Sequence, residues 1–322
     1  MICNAEKIAE LIKKANKIAL VCHANPDGDT LGSGLALYYA LKGAGKQTDI
    51  FCSDVPGRKL RTLYGAENLR TDMPNQPYEL AIAVDCSDIN LLSAHAGVIR
   101  RARVSACVDH HMSNSDYTKY TYVERGVAAC AQPVYKLIKL ISGGKPLDVH
   151  VAGLLYTALV TDSGGFAFSS VTGETLRIAA ELLDCGVQGH KITEYFMQDI
   201  SPAVYALKTR VLARTEFFED GRIGMITFNA SDFAASGTAL SDTTGIINDV
   251  RNVEGVDVAV AVTEAALREY KVSIRTDEKA DANRIAAVFG GGGHNRAAGC
   301  RVFGEYEEVK ERVLKACRDH LE

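Results

Sequence analysis

Three times in its first third the chain runs through a short, largely apolar segment and then breaks into acids and imidazoles. Ile18-Ala19-Leu20-Val21-Cys22 leads into His23-Ala24-Asn25-Pro26-Asp27-Gly28-Asp29, Leu80-Ala81-Ile82-Ala83-Val84 ends in Asp85, and Val104-Ser105-Ala106-Cys107-Val108 ends in Asp109-His110-His111. Apolar runs of this length bounded by turn residues read as buried strands. Pro26 and Gly28 force a loop after the first of them, Thr30 is placed to cap the next helix, and Leu31, Leu35, Leu37, Tyr38 and Leu41 are spaced for one buried face of it. Strands of this kind alternating with helices build a parallel, doubly wound sheet, and the C-terminal ends of its strands lie along the edge where such folds bind ligands. The pattern therefore predicts that Asp85 and His110 converge on the loop of His23, Asp27 and Asp29. A further contribution follows the helix-like run Val151 to Val160, which ends in Thr161-Asp162-Ser163-Gly164-Gly165.

Taken alone, Asp27 and Asp29 fit an Asp-Gly turn whose carboxylates only bond the backbone. Their recurrence at successive strand ends argues for a cation, because clustered carboxylates at a half-buried edge are costly to ionise without one. Imidazoles and carboxylates, with no cysteine pair at metal-binding spacing, favour an ion such as Mn²⁺ over a closed thiolate zinc site. His23, His110, Asp27, Asp29, Asp85 and Asp162 exceed what one ion takes while keeping an open position. A pair of ions sharing a bridging carboxylate fits them better.

The ordered set of His23 to Asp29, Asp85, Asp109-His110-His111, Asp162 with Ser163-Gly164-Gly165, and Gly290-Gly291-Gly292-Gly293-His294 resembles the DHH phosphoesterases over nearly the whole chain. Within them it is most similar to the bifunctional oligoribonuclease and phosphoadenosine-phosphate phosphatases. The resemblance implies that His23 and Asp27 hold one Mn²⁺, that Asp29, His110 and Asp162 hold the other, and that Asp85 bridges them. It further implies that His111 contacts the scissile phosphate and that Asp109 orients His110 from outside the ligand shell. Asp85, His110, His111 and Asp109 are then the catalytic set. The implied activity is hydrolysis of short oligoribonucleotides to 5′-mononucleotides, of 3′-phosphoadenosine 5′-phosphate (pAp) to AMP, or of both. The chain departs from the common pattern near Asp162, with Ser163 where many relatives carry threonine and Ala167 near a usual basic residue.

The implied fold is α/β: a parallel-sheet DHH domain with a helical tail at residues 1–195, a helical linker at 196–215, and a smaller α/β DHH-associated domain at 216–322, with a cleft between the domains. Strand-like runs at 17–23, 47–52, 79–85 and 103–109 suit the first domain, and runs at Ile223–Asn229, Val256–Val262 and Tyr270–Thr276 the second. Helices are expected at Thr172 to Cys185, Thr243 to Asn252 and Asp281 to Phe289, the first ending at Gly186 as a C-cap. A chain of 322 residues that is 47% apolar can bury two cores. No apolar run nears the roughly 18–20 residues of a membrane span, and charges interrupt Met1 to Lys17, so the expectation is a cytoplasmic enzyme with no membrane partner. Nine cysteines form no paired framework and read as small buried residues in a reducing compartment.

Four successive glycines before His294 let backbone N–H groups approach a ligand closely, and Asn295 to Ala298 is expected to open a helix whose N-terminus favours an anion. Between Arg268 and Arg301 seven Lys and Arg stand against four acids, in a chain of net charge −4. That suits a small anion site and speaks against long duplex nucleic acid, which needs a broad basic surface. By resemblance Arg275, Gly291, Gly292, Gly293, His294 and Arg296 join His111 in binding substrate. Linear or cyclic dinucleotides (pApA, c-di-AMP) are the alternative substrates, and a nucleotide-sensing binding protein is the alternative from another class. The sequence leaves room for a homodimer.

Overall fold

The computed structural model describes residues 1–321, apart from the side chain of His294. The chain divides into two compact units after Asp199.

The first unit holds strands β1 (Lys17–Cys22), β2 (Gln47–Phe51), β3 (Leu69–Arg70), β4 (Leu80–Val84), β5 (Val104–Asp109) and β6 (Tyr120–Val123). Its helices are α1 (Ala5–Lys14), α2 (Gly28–Gly43), α3 (Ala96–Arg101), α4 (Ala131–Ile141), α5 (Val149–Asp162), α6 (Gly173–Asp184) and α7 (Gly189–Thr193). The sheet runs β3-β2-β1-β4-β5-β6, and every pairing in it is parallel. Chain order reverses between β1 and β4, which opens a crevice at their C-terminal ends. Strand alternation sorts the core by size. Ile18, Leu20, Ile82 and Val84 pack with Ile8, Leu31, Leu35, Val134 and Leu155 on one face. Ala19, Val21, Ala81 and Ala83 meet Leu92, Val98 and Ile99 on the other. Each large aliphatic side chain so buried contributes about 1.5–3 kcal/mol.

The helices that carry site residues are fixed by local chemistry. Asp27, not Thr30, caps α2, and its carboxylate accepts the Thr30 N–H at 2.9 Å. Thr30 lies a turn inside the helix, where its hydroxyl is turned to the site. Gly28 and Gly32 let α2 lie against α5: a Cβ at Gly28 would sit 2.4 Å from Thr161 Oγ1, and one at Gly32 2.6 Å from the Leu154 carbonyl. Thr172 caps α6, and Gly186 follows its end with φ +92°. The four expected strands are present. β3 and β6 escape notice because two residues give no periodicity, and Tyr120-Thr121-Tyr122-Val123 is half polar.

The second unit comprises α8 (Pro202–Leu212), β7 (Glu216–Phe218), β8 (Ile223–Phe228), α9 (Ala230–Ser236), α10 (Ile247–Arg251), β9 (Val258–Ala266), β10 (Glu269–Thr276), α11 (Ala282–Ala287), β11 (Gly292–His294), β12 (Ala297–Phe303) and α12 (Tyr306–Arg318). Its sheet runs β11-β12-β10-β9-β8-β7, antiparallel except for β8 against β9. α8, in the segment expected as a linker, buries Leu207 and Val211 against Ile226 and Phe228. The helix expected at Thr243 to Asn252 is shorter, a 3₁₀ turn at Leu240–Thr243 and then α10. The helix expected to open at Asn295 is absent. Asn295 and Arg296 instead turn a hairpin in which Gly293 pairs with Ala298 and His294 with Ala297. Alternating burial of Ala298, Cys300 and Val302 is a strand signal that the preceding glycine run obscured. No helix among the described residues is long and apolar enough to cross a membrane.

Candidate metal centre

The loops leaving β1, β4 and β5 and the end of α5 bring the expected donors to one edge of the parallel sheet. His23 Nδ1 faces the Ala24 carbonyl at 2.7 Å, which turns Nε2 toward Asp27 Oδ2 at 4.0 Å and Asp85 Oδ2 at 3.7 Å. His110 Nδ1 lies 3.2 Å from the Val127 carbonyl. Its Nε2 stands 3.8 Å from Asp29 Oδ2, 3.5 Å from Asp85 Oδ1 and 3.5 Å from Asp162 Oδ2. Ligand atoms of His23, Asp27 and Asp85 lie within 4.8 Å of one another, as do those of Asp29, His110 and Asp162, and those of Asp85, His110 and His111.

Each carboxylate is anchored differently. Asp29 is buried in the first turn of α2 and takes the Ser33 hydroxyl (2.8 Å), the Ala131 N–H (3.1 Å) and the Cys130 N–H (2.6 Å). The last two are orphan donors at the start of α4, whose N-terminus favours negative charge. Asp85 has φ +56°, a left-handed conformation costing of order 1–3 kcal/mol in a non-glycine residue. The Val108 carbonyl takes its N–H at 2.9 Å. Oδ2 of Asp85 accepts the Thr30 hydroxyl at 2.6 Å, which also contacts His23 Nε2. Oδ1 is buried with no hydrogen-bond partner among the described residues.

The electrostatics follow from this crowding. Burial raises Asp29 well above the ordinary carboxylate range, and Asp85, Asp162 and Asp27 add to it. Burial and Asp27 raise Asp85 against the opposing pull of His110, His111 and His23. Asp162 is pushed up to about 6, mainly by burial. A pocket of nitrogen and carboxylate donors that cannot ionise fully by itself, with an orphaned buried oxygen at its centre, fits divalent cations. The cysteines beside it offer no thiolate, because burial pushes Cys22, Cys107 and Cys130 well above their usual range.

Asp109 does not orient His110. Its Oδ1 lies 2.7 Å from His111 Nδ1 and its Oδ2 accepts the Asn114 amide at 2.6 Å. Against burial, the Asp109 hydrogen bond and the Asp85 charge push His111 up to about 9. Asn114 carries no spacing signal as a single amide, and Thr30, read in the sequence as a cap, gave no sign of bonding Asp85; Ser33 had a usable signal, its i+4 spacing from Asp29 on one helix face. Ser163 is no nucleophile candidate, since it is buried and its hydroxyl accepts the Phe166 N–H at 2.9 Å.

In the second unit Arg275 lies on β10, an interior strand, between Ala259 and Ala297. Its guanidinium bonds the Ile274 carbonyl at 3.0 Å and has no acidic partner among the described residues. Burial alone lowers its pKa. The glycine strand fits closely: a Cβ at Gly291 would lie 2.3 Å from the Gly299 carbonyl, and Asn283 Oδ1 accepts the Gly293 N–H at 2.9 Å. Arg296 is exposed and 3.4 Å from Glu278. The side chain of His294 lies outside the described residues.

Comparison with known proteins places these features in context. Residues 17–159 match the model for the DHH family, N-terminal domain, and residues 232–322 that for the DHHA1 domain. The chain is 34% identical over 317 residues to a bifunctional oligoribonuclease and PAP phosphatase NrnA of Thermus thermophilus, covering 98% of this chain and 93% of that one. A protein of the same description from Bacillus subtilis is 22% identical, covering 98% and 99%. The crystal structure of an exopolyphosphatase-related protein from Bacteroides fragilis has the same fold, with a TM-score of 0.92, 23% identity and coverage of 98% and 95%.

Proposed function

Because this chain belongs to the DHH family of metal-dependent phosphoesterases, we propose that it hydrolyses short oligoribonucleotides and pAp with a pair of divalent ions, most simply Mn²⁺. His23 and Asp27 would hold one ion, Asp29, His110 and Asp162 the other, and Asp85 would face both. The observation that carries the reading is Asp85, a buried carboxylate whose Oδ1 has no hydrogen-bond partner among the described residues while three imidazoles surround it. When bound, the ions supply Lewis acidity toward the phosphoryl oxygens and the attacking water.

The chain's own residues supply the rest. Asp109 fixes His111 beside Asp85, and a cationic imidazole there would hold a non-bridging phosphoryl oxygen. Arg275, with no acidic partner among the described residues, would take a substrate phosphate. So small a set of cationic donors suits a few nucleotides.

The test is turnover of pAp, RNAs of two to five nucleotides, pApA and c-di-AMP with and without Mn²⁺. Hydrolysis of pAp and short RNA by the wild type, lost in folded Asp85→Ala and His110→Ala, is the expected result. A preference for the dinucleotides would move the substrate assignment, and tight nucleotide binding without turnover would favour a sensor.

A further inference from the structure

We propose that Asn114 is a positioning residue for the reaction, holding His111 in place through Asp109. The inference rests on the functional reading above, in which His111 contacts the scissile phosphate.

Asp109 is wholly buried, and its carboxylate is shared between two side chains: His111 Nδ1 on Oδ1 at 2.7 Å and Asn114 Nδ2 on Oδ2 at 2.6 Å. With Nδ1 held by Asp109, a shift of that carboxylate carries His111 Nε2 with it. Asn114 is itself buried and its amide cannot turn over. Its Oδ1 accepts the Asp116 N–H at 2.9 Å. A flipped amide would set an oxygen against the Asp109 carboxylate and an NH₂ against that N–H. The same NH₂ group also reaches the Cys86 carbonyl at 3.3 Å, and Tyr117 donates its hydroxyl to that carbonyl at 3.0 Å. Cys86 follows Asp85, so the amide joins the peptide after the central carboxylate to the carboxylate behind His111. The backbone completes the frame, with the Asn114 N–H donated to the His111 carbonyl at 3.3 Å. Without the amide, Asp109 Oδ2 becomes a buried acceptor with one donor fewer, and rotation of the carboxylate carries the imidazole with it.

The simpler account is that Asn114 only stiffens the turn from His111 to Asp116. A double-mutant cycle separates the two. Asn114→Leu keeps the volume and removes both donors. In the Mn²⁺-loaded full chain its kcat on pAp should fall about 10- to 100-fold, the range for lost outer partners of a reactive group. Its affinity for Mn²⁺, read by the loss of free-ion spin resonance, should stay within about threefold, because Asn114 touches none of the proposed ligands. In an Asp109→Asn background the same change should cost less than about twofold more, since the route through the carboxylate is already altered. Losses that multiply across the cycle, or a kcat for Asn114→Leu within about twofold of wild type, overturn the proposal. If Asn114→Leu does not fold, Asn114→Ser enters the same cycle. An inactive wild type would sink the functional reading itself, whereas an active wild type with multiplying losses sinks only the role of Asn114.

Discussion

Gly32→Ala adds one methyl group between two helices and should be felt at the metal centre. The new Cβ would lie 2.6 Å from the Leu154 carbonyl oxygen, 2.9 Å from Ala158 Cβ and 3.1 Å from Ala158 N. Backbone atoms cannot swing aside, so restoring ordinary contact moves α2 and α5 apart by roughly 0.8 Å. Overpacking of this kind costs about 1–3 kcal/mol, and the better helix propensity of alanine returns about 0.5–1 kcal/mol. The net loss is then about 0–2.5 kcal/mol, a fall in Tm of up to several degrees at the roughly 2–4 °C per kcal/mol of a unit this size. Asp29 rides on α2 and Asp162 ends α5, with His110 Nε2 between them at 3.8 and 3.5 Å. Metal–ligand distances tolerate only about 0.2 Å, so Mn²⁺ affinity should fall by about tenfold or more. Gly153→Ala on α5 is the control, since nothing lies within 4 Å of its Cβ and only the propensity gain applies. Thermal melts and Mn²⁺ titrations on both variants decide the matter. A Gly32→Ala protein that melts at or above wild type with unchanged metal affinity would refute the packing argument.

Two other expectations concern charge. The folded pKa of Asp162 is raised to about 6 from an ordinary 3.8, so its contribution to stability is full below about pH 4 and is lost as pH rises through 6. In chelator, Asp162→Asn should therefore match wild type near pH 4 and melt above it at pH 7.5, with Mn²⁺ reversing that order; a gap independent of pH would contradict the assignment. Arg275→Met removes a partly buried cation with no acid beside it among the described residues, so it should raise Tm while raising KM for pAp and sparing a small generic phosphodiester. A lower Tm, or equal losses on both substrates, would count against a binding role.

The strand ends were legible because each of β1, β4 and β5 couples an uninterrupted buried run to an abrupt polar break. That one pattern carried both the parallel sheet and the gathering of His23, Asp85 and His110. The partner of Asp109 was not legible, because residues 110 and 111 are adjacent imidazoles and sequence spacing does not say which of them turns back to the carboxylate. The glycine hairpin misled for a related reason. Glycine erases side-chain periodicity, so the strand after it had to be recognised from Ala298, Cys300 and Val302 alone. Asp29 looked like a simple ligand, yet its main anchors are the N–H groups of Cys130 and Ala131, about a hundred positions away and invisible to any local pattern.

The reversal of strand order between β1 and β4 has a consequence for biogenesis. The six donors are spread from His23 to Asp162: the two clusters that include Asp85 close only as β1, β4 and β5 pair, and that of Asp29, His110 and Asp162 only once α5 has also docked on α2. Such non-local pairing is the slow part of folding. A nascent chain still short of Asp162 therefore lacks one of the three clusters, and the full donor set is assembled only once α5 is in place.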